Sequence, residues 1–294
     1  MKRFSILTIV LALCGGALFY SQRHKQEARV GPEAVLNALA DTQREFSRVP
    51  ASMTRLSDQQ EIRIGNTLAE HYSQGYGPQD TAMQEYVNKT GRIVSGRARR
   101  KLDYKFHYVA DEGLVNAFAL PGGHVFIGEG LIKLMESEDE LASVLGHEIE
   151  HIDNYHCAER YQLKARMRNL PLGELLAIPV ELFQAGYGKE QELEADRDGT
   201  YLAVLAGYSP QGAIHMFETF SRLQREYVLK AGSPDQELSK VAIAGITGYF
   251  RSHPLPKERI NQIEQMIVAK NWPAQPEKAL KIRPATIKTT AENR

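Results

Sequence analysis

The stretch His147-Glu148-Ile149-Glu150-His151 decides how this chain reads. It has the form His-Glu-x-x-His. On an α-helix, positions four apart lie on one face about one turn apart. Imidazoles at 147 and 151 can therefore both reach one zinc ion. Glu148 projects beside them, where it can take a proton from an attacking water. The bland alternative is a solvated helix face carrying two neutral histidines. The surroundings argue against it. Ser137-Glu138-Asp139-Glu140 has the form of a capping box that opens a helix. Leu141, Val144, Leu145, Ile149 and Ile152 then run apolar residues through the pentad.

A catalytic zinc takes three protein ligands and leaves a fourth position for water or substrate. Glu192-Leu193-Glu194-Ala195-Asp196 supplies acids on a second predicted helix, residues 190–206, which stops at Gly207. Glu192 and Asp196 share a face and Glu194 points elsewhere, but the residues alone leave open whether Glu192 or Glu194 is the third ligand. Upstream, Pro121-Gly122-Gly123 separates two short apolar runs, residues 116–120 and 124–127, and predicts a hairpin. A strand at Asn116-Ala117-Phe118 would form the upper edge of a cleft.

Outward from this centre, Ser57 caps a helical stretch reaching Tyr72, and Gly75-Tyr76-Gly77-Pro78 breaks it. Residues 81–95 fit a second helix, residues 104–110 a strand, and residues 130–135 the start of a helix. Residues 161–188 give no clear pattern. Ser209-Pro210 opens another helix, with proline in its first turn. After Trp272 the chain is rich in Pro, Lys and Thr, and residues 271–294 read as a disordered tail.

The chain has 294 residues, with 36 basic and 36 acidic side chains and a formal net charge of zero. Nothing in that balance favours nucleic acid as a partner. Of two cysteines, Cys14 lies in an N-terminal apolar run and Cys157 stands alone in the domain, so no intradomain disulfide is expected. Lys2 and Arg3 precede the apolar residues 4–20, the layout of an export signal. Three readings stay open: a signal anchor, a cleaved signal, and a lipid-modified Cys14. The last rests on Leu11-Ala12-Leu13-Cys14-Gly15, which resembles a bacterial lipobox except that Leu13 is large. Each places the domain outside the cytoplasm, in the cell envelope. The expected organisation is a signal or anchor at 1–22, a tether at 23–55, a catalytic domain at 56–270 and the tail.

Five matches along the chain, in order, resemble one family. They are Asn116-Ala-Phe-Ala-Leu-Pro-Gly-Gly-His124, Gly128-Glu-Gly-Leu-Ile132, His147 to His151, Glu192-Leu-Glu-Ala-Asp196, and His253-Pro254 followed by Arg259-Ile260. The chain is similar to the zinc metallopeptidases that include HtpX, the CAAX prenyl endopeptidases, the mitochondrial Oma-type protease and the periplasmic BepA-like proteases. With no polytopic membrane pattern, it looks most like the last two. The resemblance implies a mainly helical α+β, zincin-like domain of the gluzincin type with a small sheet, and one zinc ion per chain.

It also implies roles. The first acid of Glu-x-x-x-Asp is the ligand, which falls on Glu192, beside His147 and His151. Asp196 orients a ligating histidine, and Glu148 is the base. The loop residue His253 approaches the metal, either as a donor to the oxyanion or as a fourth ligand that holds the resting enzyme off. Arg251 is a second candidate donor. Substrate in extended form would pair with the strand at Asn116, Ala117 and Phe118. The implied activity is endopeptidase cleavage of unfolded or misfolded envelope proteins by a periplasmic enzyme tethered to the membrane. Three residues read as structural. His156 falls off the ligand face, near the C-terminal end of the pentad's helix. Glu194 reads as a solvated side chain, and His124 as an exposed hairpin residue.

Overall fold

The computed structural model describes residues 56–76, 80–167, 180–184, 186–230, 253, 257–273, 275–282 and 284. The export segment, the tether and Arg251 lie outside the described residues. Among the described residues, no helix is long and apolar enough to cross a membrane.

The architecture is mainly helical with one small sheet. In chain order the elements are α1 (Asp58–Ser73), α2 (Thr81–Ser95), β1 (Lys105–Val109), β2 (Ala117–Leu120), β3 (His124–Gly128), α3 (Glu129–Ile132) and α4 (Glu138–Asp153). There follow α5 (His156–Met167), α6 (Glu181–Gln184), α7 (Lys189–Leu205), α8 (Gln211–Lys230) and α9 (Lys257–Ala269). Helices start where the sequence offers caps. Ser57 and Gln60 close a reciprocal capping box on α1, and Asp80 accepts from the amides of Ala82 and Met83 on α2.

The sheet runs in the order β1-β3-β2. β1 pairs parallel with β3, and β2 pairs antiparallel with it, Phe118 facing Phe126. Gly122 and Gly123 make the turn between β2 and β3 at φ 77 and 109, a region that side chains with a Cβ rarely enter. Tyr72 of α1 seats its ring edge-on to both Phe118 and Phe126, at 5.1 Å from each.

The pentad's helix, α4, is the centre of the fold, and all of its residues are buried. Its apolar side, Leu141, Leu145, Ile149 and Ile152, belongs to one core with Val125, Ile127 and Leu131, all with no exposed surface. Each such side chain is worth roughly 1.5–3 kcal/mol relative to exposure. The polar groups of a wholly buried helix must find partners within the protein, and those at its two ends do. Ser137 accepts from Glu140 N at the start of α4. Asp139 accepts from Ser209 N, and Glu138 accepts from the hydroxyls of Tyr86 and Tyr208. At the far end, Asp153 accepts from the amides of Arg99 and Arg100 and from the Tyr104 hydroxyl. Arg100 also reaches Ile152 O and the buried Glu61.

Two expectations need correction. The tail is ordered over residues 275–282: Lys278 O accepts from Glu138 N, Ala279 bridges Ser137, and Leu280 is buried. Its composition carries little apolar surface, yet its backbone is held by the start of α4, a contact that composition does not encode. His124 is buried, not exposed, because α1 and β1 close over the start of β3. Its Nε2 meets Asn66 and its Nδ1 meets His107 Nε2, both at 2.9 Å. Within the unclear stretch, residues 161–167 continue helix α5, which begins at His156.

A candidate metal centre between two helices

Helices α4 and α7 cross at Gly146 and Gly199. A Cβ on Gly146 would come within 2.6 Å of Gly199 O, and a Cβ on Gly199 within 2.6 Å of His147 N. Both distances are far below any real contact, so the backbones approach as closely as glycine permits. That closeness lets His147 on α4 meet Glu192 and Asp196 on α7.

Four buried side chains converge there: His147, His151, Glu192 and His253, whose ligand atoms all lie within 4.8 Å of one another. His147 Nε2 is 3.1 Å from His151 Nε2 and 3.5 Å from Glu192 Oε2. His151 Nε2 stands 3.7 Å from Glu192 Oε1. His253 Nδ1 is 3.0 Å from Glu192 Oε2 and 3.3 Å from His147 Nε2. A tetrahedral zinc with bonds of about 2.0 Å separates its ligands by about 3.3 Å, the scale seen here.

The donor chemistry agrees with that fit. Asp196 Oδ1 sits 2.9 Å from His147 Nδ1. A carboxylate accepts, so Nδ1 carries a hydrogen, and Nε2 is the nitrogen that faces the centre and gives up its proton to ligate. Glu192 Oε1 is buried and makes no hydrogen bond. Lone pairs that converge in a dry site call for a cation.

Glu148 is buried beside the cluster. Its Oε1 lies 3.5 Å from His253 Nε2 and its Oε2 makes no hydrogen bond. Burial raises its pKa, against the pull of His253 and His147. Burial also lowers His151 well below the usual imidazole value. For His147, burial opposes the charge, but Asp196 and Glu192 outweigh it and carry the pKa to about 10 in the metal-free chain. Glu192 and Asp196 stay ionised in spite of burial, Glu192 chiefly through His253 and Asp196 chiefly through Arg259.

The fold thus gathers His147, Glu148, His151, Glu192, Asp196 and His253 in one buried place. Asn116, Ala117 and Phe118 lie at the start of β2, an edge strand, and are all buried. Asn116 O accepts from Gly128 N, so Ala117 and Ala119 turn their backbone polar groups to the other side. On that side Ala119 O already accepts a weak bond from the Cys157 thiol at 3.6 Å.

Several residues around the centre escape sequence reasoning. Arg259, 1% exposed, grips Asp196 and sits 3.3 Å from Glu192 Oε2. Its place after His253-Pro254 is part of the resemblance, yet spacing says nothing of its contact. Tyr187 stacks on the His151 ring at 3.9 Å between centroids, with Arg160 over it at 4.0 Å. His156 Nδ1 lies 2.9 Å from His151 Nδ1, and His156 Nε2 reaches Glu194. Glu194 is therefore engaged as well as partly exposed.

The sequence matches the profile of peptidase family M48 over residues 80–181 and 166–267. The chain belongs to peptidase family M48. As an M48 peptidase it has relatives in bacteria and mitochondria. It is 30% identical over 202 residues to the putative beta-barrel assembly-enhancing protease of Vibrio cholerae, covering 62% of this chain and 38% of that protein. It is 27% identical over 245 residues to the beta-barrel assembly-enhancing protease of Escherichia coli K12, covering 72% and 46%. It is 28% identical over 195 residues to the mitochondrial metalloendopeptidase OMA1 of Schizosaccharomyces pombe, covering 62% and 52%. The M48 chain therefore spans less than half the length of the two bacterial proteins.

Proposed function

We propose that the chain is a zinc-dependent metalloendopeptidase whose metal is held by His147, His151 and Glu192. The observation that carries the proposal is the buried convergence of ligand atoms from α4 and α7, with Glu148 beside them. When bound, zinc supplies a Lewis acid that polarises the scissile carbonyl and makes water nucleophilic at neutral pH. The chain's own residues do the rest. The Glu148 carboxylate takes one proton of the attacking water as its oxygen bonds to the carbonyl carbon. It then passes that proton to the nitrogen of the departing amine. Asp196, held by Arg259, keeps the His147 ring oriented. An extended substrate pairs with the strand at Asn116, Ala117 and Phe118, where Ala117 turns its backbone polar groups away from β3.

His253 serves as a latch in the resting protein. Its Nδ1 lies inside the cluster of ligand atoms, which supports a fourth-ligand role over a donor role in this state. The substrates are unfolded or misfolded proteins of the cell envelope, and the enzyme is periplasmic and tethered through its N-terminal apolar segment. That reading draws on the export-type segment and on relatives named for beta-barrel assembly.

The test is casein cleavage and zinc content of the purified chain and of Glu148→Gln. The proposal expects one zinc in the catalytic site of both proteins and cleavage only in the wild type. Equal cleavage by Glu148→Gln would overturn the assigned base. A reporter fused after residue 270 should read as exported, and a cytosolic signal would contradict the location.

A further inference from the structure

The strongest uncommitted geometry lies behind His151. Glu194 Oε2, His156 Nε2, His156 Nδ1 and His151 Nδ1 form a line of two contacts, 3.3 Å and 2.9 Å long. His156 is 1% exposed and His151 is fully buried, so water does not intervene as a ready substitute. The two ends of the line differ in kind. Glu194 is on α7 with 40% of its side chain exposed, while His151 points its other nitrogen into the metal cluster.

With His156 neutral, the contacts order the protons in sequence. A carboxylate only accepts, so His156 Nε2 carries a hydrogen toward Glu194. A neutral imidazole has one N–H, so His156 Nδ1 carries a lone pair. That lone pair accepts from His151, whose proton must then sit on Nδ1. The His151 Nε2 that remains is bare, and it faces His147 Nε2 at 3.1 Å and Glu192 Oε1 at 3.7 Å. Reversing the line places a hydrogen on His151 Nε2, where a ligand needs a lone pair. Tyr187 holds the ring plane through its stack on His151, with 18° between the rings.

We propose that His156 is a positioning residue that, oriented by Glu194, locks His151 in the Nδ1–H tautomer required for metal ligation. The inference rests on the metal reading above and deepens it. His147 has its acid in direct contact, whereas His151 has its acid at one remove. The two ligands are thus oriented by Asp196 and Glu194, two acids on the same helix, through unlike routes. Outer contacts of this kind are worth about 10- to 100-fold in metal affinity.

The test uses the full chain loaded with zinc. Nitrogen-15 labelling of histidine and long-range proton–nitrogen NMR read the tautomer of His151 directly in the wild type. The expected result is a proton on Nδ1 and zinc on Nε2. Zinc affinity by chelator competition then compares two variants. His156→Leu removes the acceptor and should weaken zinc by about 10- to 100-fold. His156→Gln returns an amide oxygen to the same side and should recover most of that loss. Unchanged affinity in a folded His156→Leu, an equal loss in both variants, or a proton on His151 Nε2 each overturns the relay. A wild-type chain that takes up no zinc at all overturns the metal reading along with it, which separates the two failures.

Discussion

Arg259 closes on Asp196 with two parallel contacts, Nε 2.5 Å from Oδ2 and Nη2 2.6 Å from Oδ1, and both residues are buried. The same Oδ1 accepts from His147 Nδ1, so one oxygen joins the last helix to a ligand of the candidate centre. The guanidinium also lies 4.6 Å from the Phe217 ring centroid, which fixes its plane.

Breaking this pair should be costly, because a buried carboxylate left without its cation typically costs about 3–5 kcal/mol. Arg259→Leu is expected to lose stability on that scale in urea unfolding. Arg259→Lys should recover only part, since an ammonium cannot make the two-point contact. A loss below about 1 kcal/mol for Arg259→Leu would show that Asp196 has other support.

The third ligand has a register that substitution can read. Glu192→Ala is expected to empty the zinc site, and Glu194→Ala to leave it filled with weakened affinity. Metal analysis after dialysis against a weak chelator measures both. An empty site in Glu194→Ala beside a filled one in Glu192→Ala would shift the ligand by two residues.

His253 lies against Glu192 and Glu148 at once. As a latch it competes with water and substrate, so His253→Ala should raise basal casein cleavage. As an oxyanion donor, its loss would lower kcat by ~10²–10³ with zinc retained. A rate equal to the wild type excludes both roles.

Away from the centre, the stacked pair His107 and His124 gives the fold a pH dependence. Burial lowers His107 to about 4 and His124 to about 3. Both rings are neutral in the folded chain at pH 6, while the unfolded chain protonates them below about 6.5. The unfolded state then binds more protons, so the pair's contribution to stability is constant above that value and falls as pH drops toward about 4. His107→Phe, which keeps the stack on Phe126, should show a smaller loss between pH 7 and pH 5 in urea titrations. Parallel curves for the two proteins would remove the pair from this account.

The sequence by itself determined the local parts. Period and caps gave α1, α2, α4, α7 and the start of α8, since helix signals act within a few residues. The Gly122-Gly123 turn between β2 and β3 was legible for the same reason. His147, Glu148 and His151 stand one turn apart on one helix, so their shared face follows from helix geometry alone. Glu192 was narrowed by spacing to one of two acids and chosen only through resemblance.

The tertiary structure decided everything that depends on two elements meeting. No local signal says that Gly146 and Gly199 touch, yet that crossing brings α7 to α4. His156 and Tyr187 are unremarkable in the sequence because their partner, His151, is set by how α5 and the approach to α7 pack. His124 is buried by α1 and β1, and Lys278 and Ala279 are held through their backbones by the start of α4. In each case the cause is non-local, the burial of one segment's polar groups against another's, which no window of sequence contains.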